Sequence, residues 1–429
     1  MGSAFAEPAI KMPDFQARIL RETEKCVSCG ICLPHCPTYQ KTGSEADSPR
    51  GRIALMRGAV AGHIPINPRF RQHIDLCLGC RSCETACPNG VGYGHALLGA
   101  RKLLEHARPL VSIGPLRKWL LRRVLPHRGL LGLLGKGLRL YQRQGIQRRV
   151  RKTGILEYLG WARLERYLPA LPESQGKWEA YYPPQGAQRG EVALFLGCVA
   201  QVVDRSALQS TLGLLTRLGY GVRIPRRQTC CGALHYHSGD SEWGEKLALR
   251  NIQAFAGIPA VPIITVASGC AAHLRDYGHF AGPPGAALAA RIQDAGGFLS
   301  QAAGWESLSI APWDHRVGVH QACTQRKVLG TAEDVGALLQ RILRCRPVPL
   351  AGAPGCCGAA GAYCLTQPEM SDSLLEDSIR GIRKAAVSTV VTSNIGCRLH
   401  LQRGLADAGL DVEILHPAEL LSRQLASIP

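Results

Sequence analysis

Residues 26–37, Cys26-Val-Ser-Cys29-Gly-Ile-Cys32-Leu-Pro-His-Cys36-Pro37, and residues 77–88, Cys77-Leu-Gly-Cys80-Arg-Ser-Cys83-Glu-Thr-Ala-Cys87-Pro88, share one spacing, C-x2-C-x2-C-x3-C-P. Runs of that spacing hold cubane [4Fe–4S] clusters. Three thiolates so close together can curl around three irons of one cluster, while the fourth, followed by proline, turns away. A zinc site typically uses two separated pairs rather than runs of four. The eighteen cysteines of the 429-residue chain fall well short of the roughly 8–10% that marks a disulfide scaffold. Iron–sulfur ligation outranks both alternatives, and it makes this a chain that moves electrons.

The doubled run resembles that of bacterial two-cluster ferredoxins, in which the fourth cysteine of each run serves the neighbouring cluster. On that resemblance Cys26, Cys29, Cys32 and Cys87 hold one [4Fe–4S] cluster, and Cys77, Cys80, Cys83 and Cys36 hold the other. Between the runs, SPRGRIALMRGAVAG and NPRFRQHIDLC each open on the Ser-Pro or Asn-Pro signal of a helix start. The expected N-terminal domain, residues 1–100, is therefore α-helical. It is similar to the cluster domain of succinate dehydrogenase iron–sulfur subunits. Arg50 and Arg52 flank the first run, and a surface ion pair is the simplest account of both.

The net charge of +19 is concentrated in one stretch. Residues 101–152 carry fifteen Lys/Arg against one acid, Glu105. Within them Leu116, Trp119, Leu120, Val124, Leu131 and Leu134 recur near helical spacing, interleaved with Arg117, Lys118, Arg122, Arg123, Arg128 and Lys136. Such a basic amphipathic segment suits an anionic membrane surface, an acidic partner subunit, or a helix pair with a solvated basic face. Nucleic acid is a poor fit, because aromatics are sparse and no nucleic-acid fold signature accompanies the charge. No apolar run reaches the ~18–20 residues that span a bilayer. The start, MGSAFAEPAIKMPDF, lacks the charged-then-apolar pattern of a secretory signal. The expected location is cytoplasmic, at the inner face of the cytoplasmic membrane. A Pro- and Gly-rich linker completes residues 101–190.

From Glu191 short apolar runs alternate with helical patterns, the mark of an α/β fold. Cys198, Cys230-Cys231-Gly232 and Cys270 recur as Cys323, Cys356-Cys357-Gly358 and Cys397, at offsets of 125, 126 and 127 residues. Residues 191–310 and 311–429 are therefore expected to be two copies of one unit. VALFLGC, IITVASGC, RVGVHQAC and TVVTSNIGC each set a cysteine just past a strand-like run, where open α/β sheets bind ligands. These eight cysteines are candidate ligands of further Fe–S centres. The predicted fold class is α+β multidomain: a helical two-cluster domain followed by two α/β repeats.

The doubled C-(x)n-C-C-G-(x)n-C pattern resembles the cysteine-rich CCG domain of heterodisulfide-reductase-type proteins. Fused behind a helical two-cluster ferredoxin, it is similar to the iron–sulfur subunit family of glycolate oxidase (glycolate dehydrogenase). The likeness is densest in CPTYQKTGSEADSPRGRI, CLGCRSCETACPNGVGY, TCCGALHYH, CCGAAGAYCLTQPEMS and TSNIGCRLHL. It implies an electron-transfer subunit that is not self-sufficient for substrate oxidation. Its partners would be FAD-containing subunits that oxidise glycolate or another 2-hydroxy acid, and its acceptor a quinone. FAD belongs on those partners, since this chain has no strand–GxGxxG–helix fingerprint.

In heterodisulfide reductases the last motif is C-x-x-C. Here histidine takes the final place in both copies, Cys270-Ala-Ala-His273 and Cys397-Arg-Leu-His400, and imidazole can replace thiolate on iron. His273 and His400 are therefore candidate ligands. His320 and His237 fit hydrogen bonding to cluster sulfur better than ligation, and Cys345 and Cys364 read as ordinary thiols. Two readings compete: a thiol/disulfide catalyst of the heterodisulfide-reductase type, and the iron–sulfur subunit of a lactate or glycerol-3-phosphate dehydrogenase.

Overall fold

The computed structural model describes residues 12–107, 119, 121–171, 176–350 and 356–425. Residues 1–11, read above for a signal sequence, lie outside that set, as do Leu116, Arg117, Lys118 and Leu120 of the basic segment. Contacts divide the chain into two units, residues 1–111 and 112–429.

The first unit is helical. Helix Pro49–Val60 starts where the Ser48 hydroxyl accepts from the Gly51 amide at 2.9 Å, and helix Pro68–Asp75 where Asn67 Oδ1 accepts from the Phe70 amide at 2.9 Å. Both are side-chain caps followed by proline, which needs no amide in a first turn. Helix Tyr93–Ala107 buries Tyr93, Ala96, Leu97, Ala100, Leu103 and Leu104, a spacing of three and four that makes one apolar stripe. That stripe packs with Ile19, Met56, Phe70 and Ile74 into a single core. The first cysteine run lies between helices Met12–Glu24 and Pro49–Val60 and the second between Pro68–Asp75 and Tyr93–Ala107, so a packed helical frame holds both.

The second unit contains two sheets. In the first, β1 (Tyr181–Tyr182), β2 (Gly190–Phe195), β3 (Tyr220–Arg223), β4 (Ile263–Thr265) and β5 (Ile292–Asp294) take the order β1-β3-β2-β4-β5, parallel except for β1. In the second, β6 (Arg316–Val319), β7 (Arg346–Pro349), β8 (Thr389–Val391) and β9 (Glu413–Leu415) take the order β7-β6-β8-β9, all parallel. Apart from β1 the two orders are the same, which is the duplication in three dimensions. β2 buries Val192, Ala193, Leu194 and Phe195 in succession, as a parallel strand covered on both faces must. Val192 and Leu194 share one core with Val317, Val319, Leu415 and Leu421, so both repeats close over common apolar ground. Among the described residues, no helix is long and apolar enough to cross a membrane.

A buried charge cluster crosses that junction. Arg398 pairs with Asp204 and, at 2.7 Å, with Glu419. Burial pushes the Asp204 carboxyl up to about 7 against the pull of Arg398. Between about pH 4 and pH 7 the folded chain thus holds a proton there that the unfolded chain has released. The site's contribution to stability falls as pH rises across that window. Asp204→Asn is expected to flatten this slope when denaturant midpoints are compared at its two ends, and an unaltered slope would place the titration elsewhere.

Candidate metal centres

Both N-terminal cysteine runs curl the same way. Ser28 and Gly30 have φ of 58° and 83°, and Gly79 and Arg81, at the equivalent places, 64° and 60°. Two left-handed residues around the middle cysteine turn three side chains to one side, at a cost for the non-glycine Ser28 and Arg81. Cys26, Cys29, Cys32 and Cys87 line one pocket, which Cys83 also borders. The Cys83 thiol is raised well above its ordinary value by burial and then by Cys80, Cys77, Glu84 and Cys36. A group of thiols that resists ionising until a cation arrives is the donor set an iron–sulfur cluster requires. These residues fit it.

Arg50 pairs with Glu45 at 2.7 Å on the surface, but the surface account fails for Arg52. Its side chain is fully buried, donating to the His73 carbonyl at 2.7 Å and to Thr38 Oγ1 at 3.0 Å, while Thr38 Oγ1 lies 3.2 Å from Cys36 Sγ. Burial opposes its charge, yet Cys77, Tyr93 and Cys36 outweigh burial and raise its pKa. A permanent cation thus stands beside Cys36 and Cys77. Nothing in SPRGR distinguishes Arg52 from Arg50; the helix packing that buries one of them does.

In the second unit the eight repeat cysteines each follow the C-terminal end of a parallel strand, around the switch in strand order. In the first repeat Cys198 Sγ lies 3.4 Å from Cys230 Sγ, and Cys231 Sγ 3.5 Å from Cys270 Sγ. In the second, Cys323 contacts Cys356, and Cys357 contacts both Cys356 and Cys397. Contact with Cys230, then burial, lifts Cys198; contact with Cys356, then burial, lifts Cys323 in the same way. The CC dipeptide of the first repeat is pinned by its carbonyls, with Asn251 Nδ2 donating to Cys230 at 2.9 Å and the Tyr277 hydroxyl to Cys231 at 2.7 Å. Cys345 and Cys364 stand outside these groups. Burial alone lifts Cys345 to about 11, and Cys364 Sγ faces the Gly361 carbonyl at 3.8 Å.

The histidines divide. His400 has both ring nitrogens occupied: Tyr167 Oη lies 2.9 Å from Nδ1 and Ser371 Oγ 3.1 Å from Nε2. His273 sits in an aromatic box of Tyr236, Tyr277 and Phe280. The histidine brought against thiols is His320, with one ring nitrogen and the sulfurs of Cys357 and Cys397 all within 4.8 Å of one another. His237 is exposed at the end of its helix. Burial lowers His320 and His400 to about 4 and His273 to about 3, which keeps all three neutral near pH 7. Tyr167 was invisible to motif reading because it lies in the linker. The helix it closes, Ala162–Arg166, is clamped to the second repeat by Arg163, whose two terminal nitrogens each reach Asp372 at 2.9 Å.

Comparison with known proteins covers the same ground. Residues 22–91 match the 4Fe-4S dicluster domain family, and residues 192–275 and 317–402 match the cysteine-rich CCG domain. Residues 114–168 match the linker region of the glycolate oxidase iron-sulfur subunit. A probable glycolate oxidase iron-sulfur subunit of Bacillus subtilis (strain 168) is 35% identical over 416 residues, 93% of each chain. The glycolate oxidase iron-sulfur subunit of Escherichia coli (strain K12) is 30% identical over 418 residues, again 93% of each. Lactate utilization protein A of Geobacillus kaustophilus is 29% identical over 238 residues, 54% of this chain and 98% of that protein.

The third residue of each CCG triplet is held left-handed, Gly232 at φ 91° and Gly358 at 90°. A Cβ on Gly358 would lie 2.5 Å from the Ser371 carbonyl oxygen, whereas one on Gly232 would meet the Gly244 oxygen at 3.2 Å. Gly358→Ala is expected to cost more than Gly232→Ala, by about 1–2 kcal/mol in denaturant unfolding. Equal costs would mean that the φ penalty alone matters.

Proposed function

Because the chain belongs to the glycolate oxidase iron–sulfur subunit family, we propose that it takes electrons from a FAD-containing partner oxidising glycolate or a related 2-hydroxy acid and delivers them to a quinone-type acceptor. The chain is an iron–sulfur electron-transfer subunit of an oxidoreductase. Its two [4Fe–4S] clusters supply one-electron carriage when bound. Cys26, Cys29, Cys32 and Cys87 would hold one, and Cys77, Cys80, Cys83 and Cys36 the other. The observation that carries the reading is the likeness along nearly the whole of two glycolate oxidase subunits, linker included.

The two cysteine groups differ in setting, and that supports a direction. Cys29 is exposed and its neighbours Val27 and Ile31 present apolar side chains to solvent, a rim suited to docking an electron donor. Cys36 and Cys77 are buried beside the Arg52 cation, which stabilises added negative charge. Cys29→Ser and Cys80→Ser should each remove one cubane signal from low-temperature EPR and stop electron flow, while glycolate still reduces the partner flavin. Flow surviving both changes would sink the relay. Reduction by a dithiol without any flavoprotein would favour the thiol/disulfide reading.

The inner membrane face fits helix Arg128–Arg143. Leu131 and Gly135 are buried on one side, and Leu130, Leu133, Leu134 and Leu140 are exposed on another, Leu133 at 67%. Lys136, Arg148 and Arg149 are exposed nearby. Arg122 belongs to the fold instead, gripping Asp240 at 2.7 and 2.8 Å. An apolar arc flanked by cations is the pattern of a helix lying in an anionic lipid surface. Leu133→Glu combined with Lys136→Glu should reduce co-sedimentation with anionic vesicles several-fold, with binding that weakens as salt rises. Binding unchanged in the variant would assign that face to a protein partner.

A further inference from the structure

We propose that His320 supplies an imidazole ligand to a metal centre in the second cysteine-rich repeat, so that the two repeats hold unlike donor sets. This rests on the reading that the repeat cysteines bind metal. The nitrogen of His320 and the sulfurs of Cys357 and Cys397 already form a compact donor group, all within 4.8 Å of one another.

The ring is anchored as metal-binding imidazoles are. Its Nδ1 lies 2.9 Å from Thr392 Oγ1, which fixes the ring plane; with Nδ1–H donating to that oxygen, the ligating lone pair falls on Nε2. The backbone holds it too: the His320 amide donates to the Val391 carbonyl at 2.9 Å, extending the ladder between β6 and β8. Of the histidines at the end of the C-x-x-H motifs, His400 is engaged by Tyr167 and Ser371, while His273 packs in its aromatic box with a buried, unbonded Nε2 near Gly232 and is not grouped with the thiols among the described residues.

The first repeat has no counterpart. Three residues before Cys198, where His320 stands three before Cys323, the chain has Phe195, buried against Phe255 with ring centroids 6.2 Å apart. The first repeat thus offers thiolates and a phenyl ring, the second thiolates and an imidazole. With Cys323 and Cys356 beside the compact group, the second repeat gathers five donors, one more than a tetrahedral zinc accepts. A centre of more than one iron accommodates them. Coordination by the neutral imidazole lone pair releases no proton and transfers no electron; it replaces an anionic donor with a neutral one, which raises the potential of an iron centre.

The test uses the full chain reconstituted anaerobically with ferrous iron and sulfide, its histidines labelled with 15N or left natural, and pulsed EPR of the reduced protein. A directly coordinated histidine nitrogen is expected in the parent and lost in His320→Phe, the residue the first repeat itself carries. The signals of the two N-terminal clusters should be unchanged in both, and a cooperative unfolding transition like the parent's would report that the substituted repeat is folded. A nitrogen coupling that persists in His320→Phe would overturn the assignment. So would a parent protein that takes up iron beyond the two cubanes but shows no coupling, or one that takes up none beyond them. Should His320→Phe fail to fold, Thr392→Val keeps the ring and removes its anchor. It is expected to alter the coupling, and an unaltered coupling counts against the proposal. None of these results bears on reduction of the N-terminal clusters by a flavoprotein, so failure here is distinct from failure of the relay.

Discussion

Cys198 and Cys230 sit 3.4 Å apart, and Cys231 and Cys270 3.5 Å apart, inside a sheet-and-helix core. Thiols buried at that range oppose one another's ionisation, so four cannot become thiolates together unless a cation lies among them. Much of the surrounding architecture serves that constraint. Left-handed corners at Gly232 and Gly358 bring the CC pairs round, and Asn251 and Tyr277 pin the first pair's carbonyls. In the N-terminal unit the same demand is met by two left-handed residues per run and by a helical frame packed on Phe70, Ile74 and Leu97.

Duplication supplies two similar sockets, and the linker makes them unlike. On the first repeat the Thr229 hydroxyl donates to the Pro126 carbonyl at 2.9 Å, just before the CC pair. On the second, Tyr167 stacks on His400 and Arg403 lies 5.1 Å over the Tyr167 ring, behind Gly358. One segment thus supports both sockets through different chemistry. That gives a physical reason for a helical linker between a cluster domain and its repeats, where a loose tether would leave both CC loops unsupported.

The excess of positive charge is spent in distinct ways. Arg52 is buried and Arg398 half-buried against buried carboxylates, where a cation offsets thiols or carboxylates that could not otherwise stay inside. Arg122 and Arg163 form two-pronged pairs that tie the linker to the repeats. Lys136, Arg148 and Arg149 remain at the surface. Cations committed to the fold in the first two ways are not free to meet a partner, so net charge overstates the surface available for binding.

The two cysteine runs, the helix starts at Ser48 and Asn67 and the 125-to-127-residue offsets are local patterns. They were readable because caps and ligand spacing depend on neighbours along the chain. The same holds for cysteines placed past strand ends, since strand periodicity and strand end lie within one short window. The fate of single polar residues is another matter. Arg52 differs from Arg50 only in which face of a helix meets the core, and His320 differs from His400 only in what surrounds each ring. The motif favoured His400 because it ends C-x-x-H. Only the fold brings Tyr167 from the distant linker and Ser371 from a neighbouring helix onto its nitrogens, leaving His320 to face the sulfurs. Spacing along a chain settles which groups can meet within a turn or a loop; which of them keeps a free lone pair is settled by contacts between segments that spacing does not record.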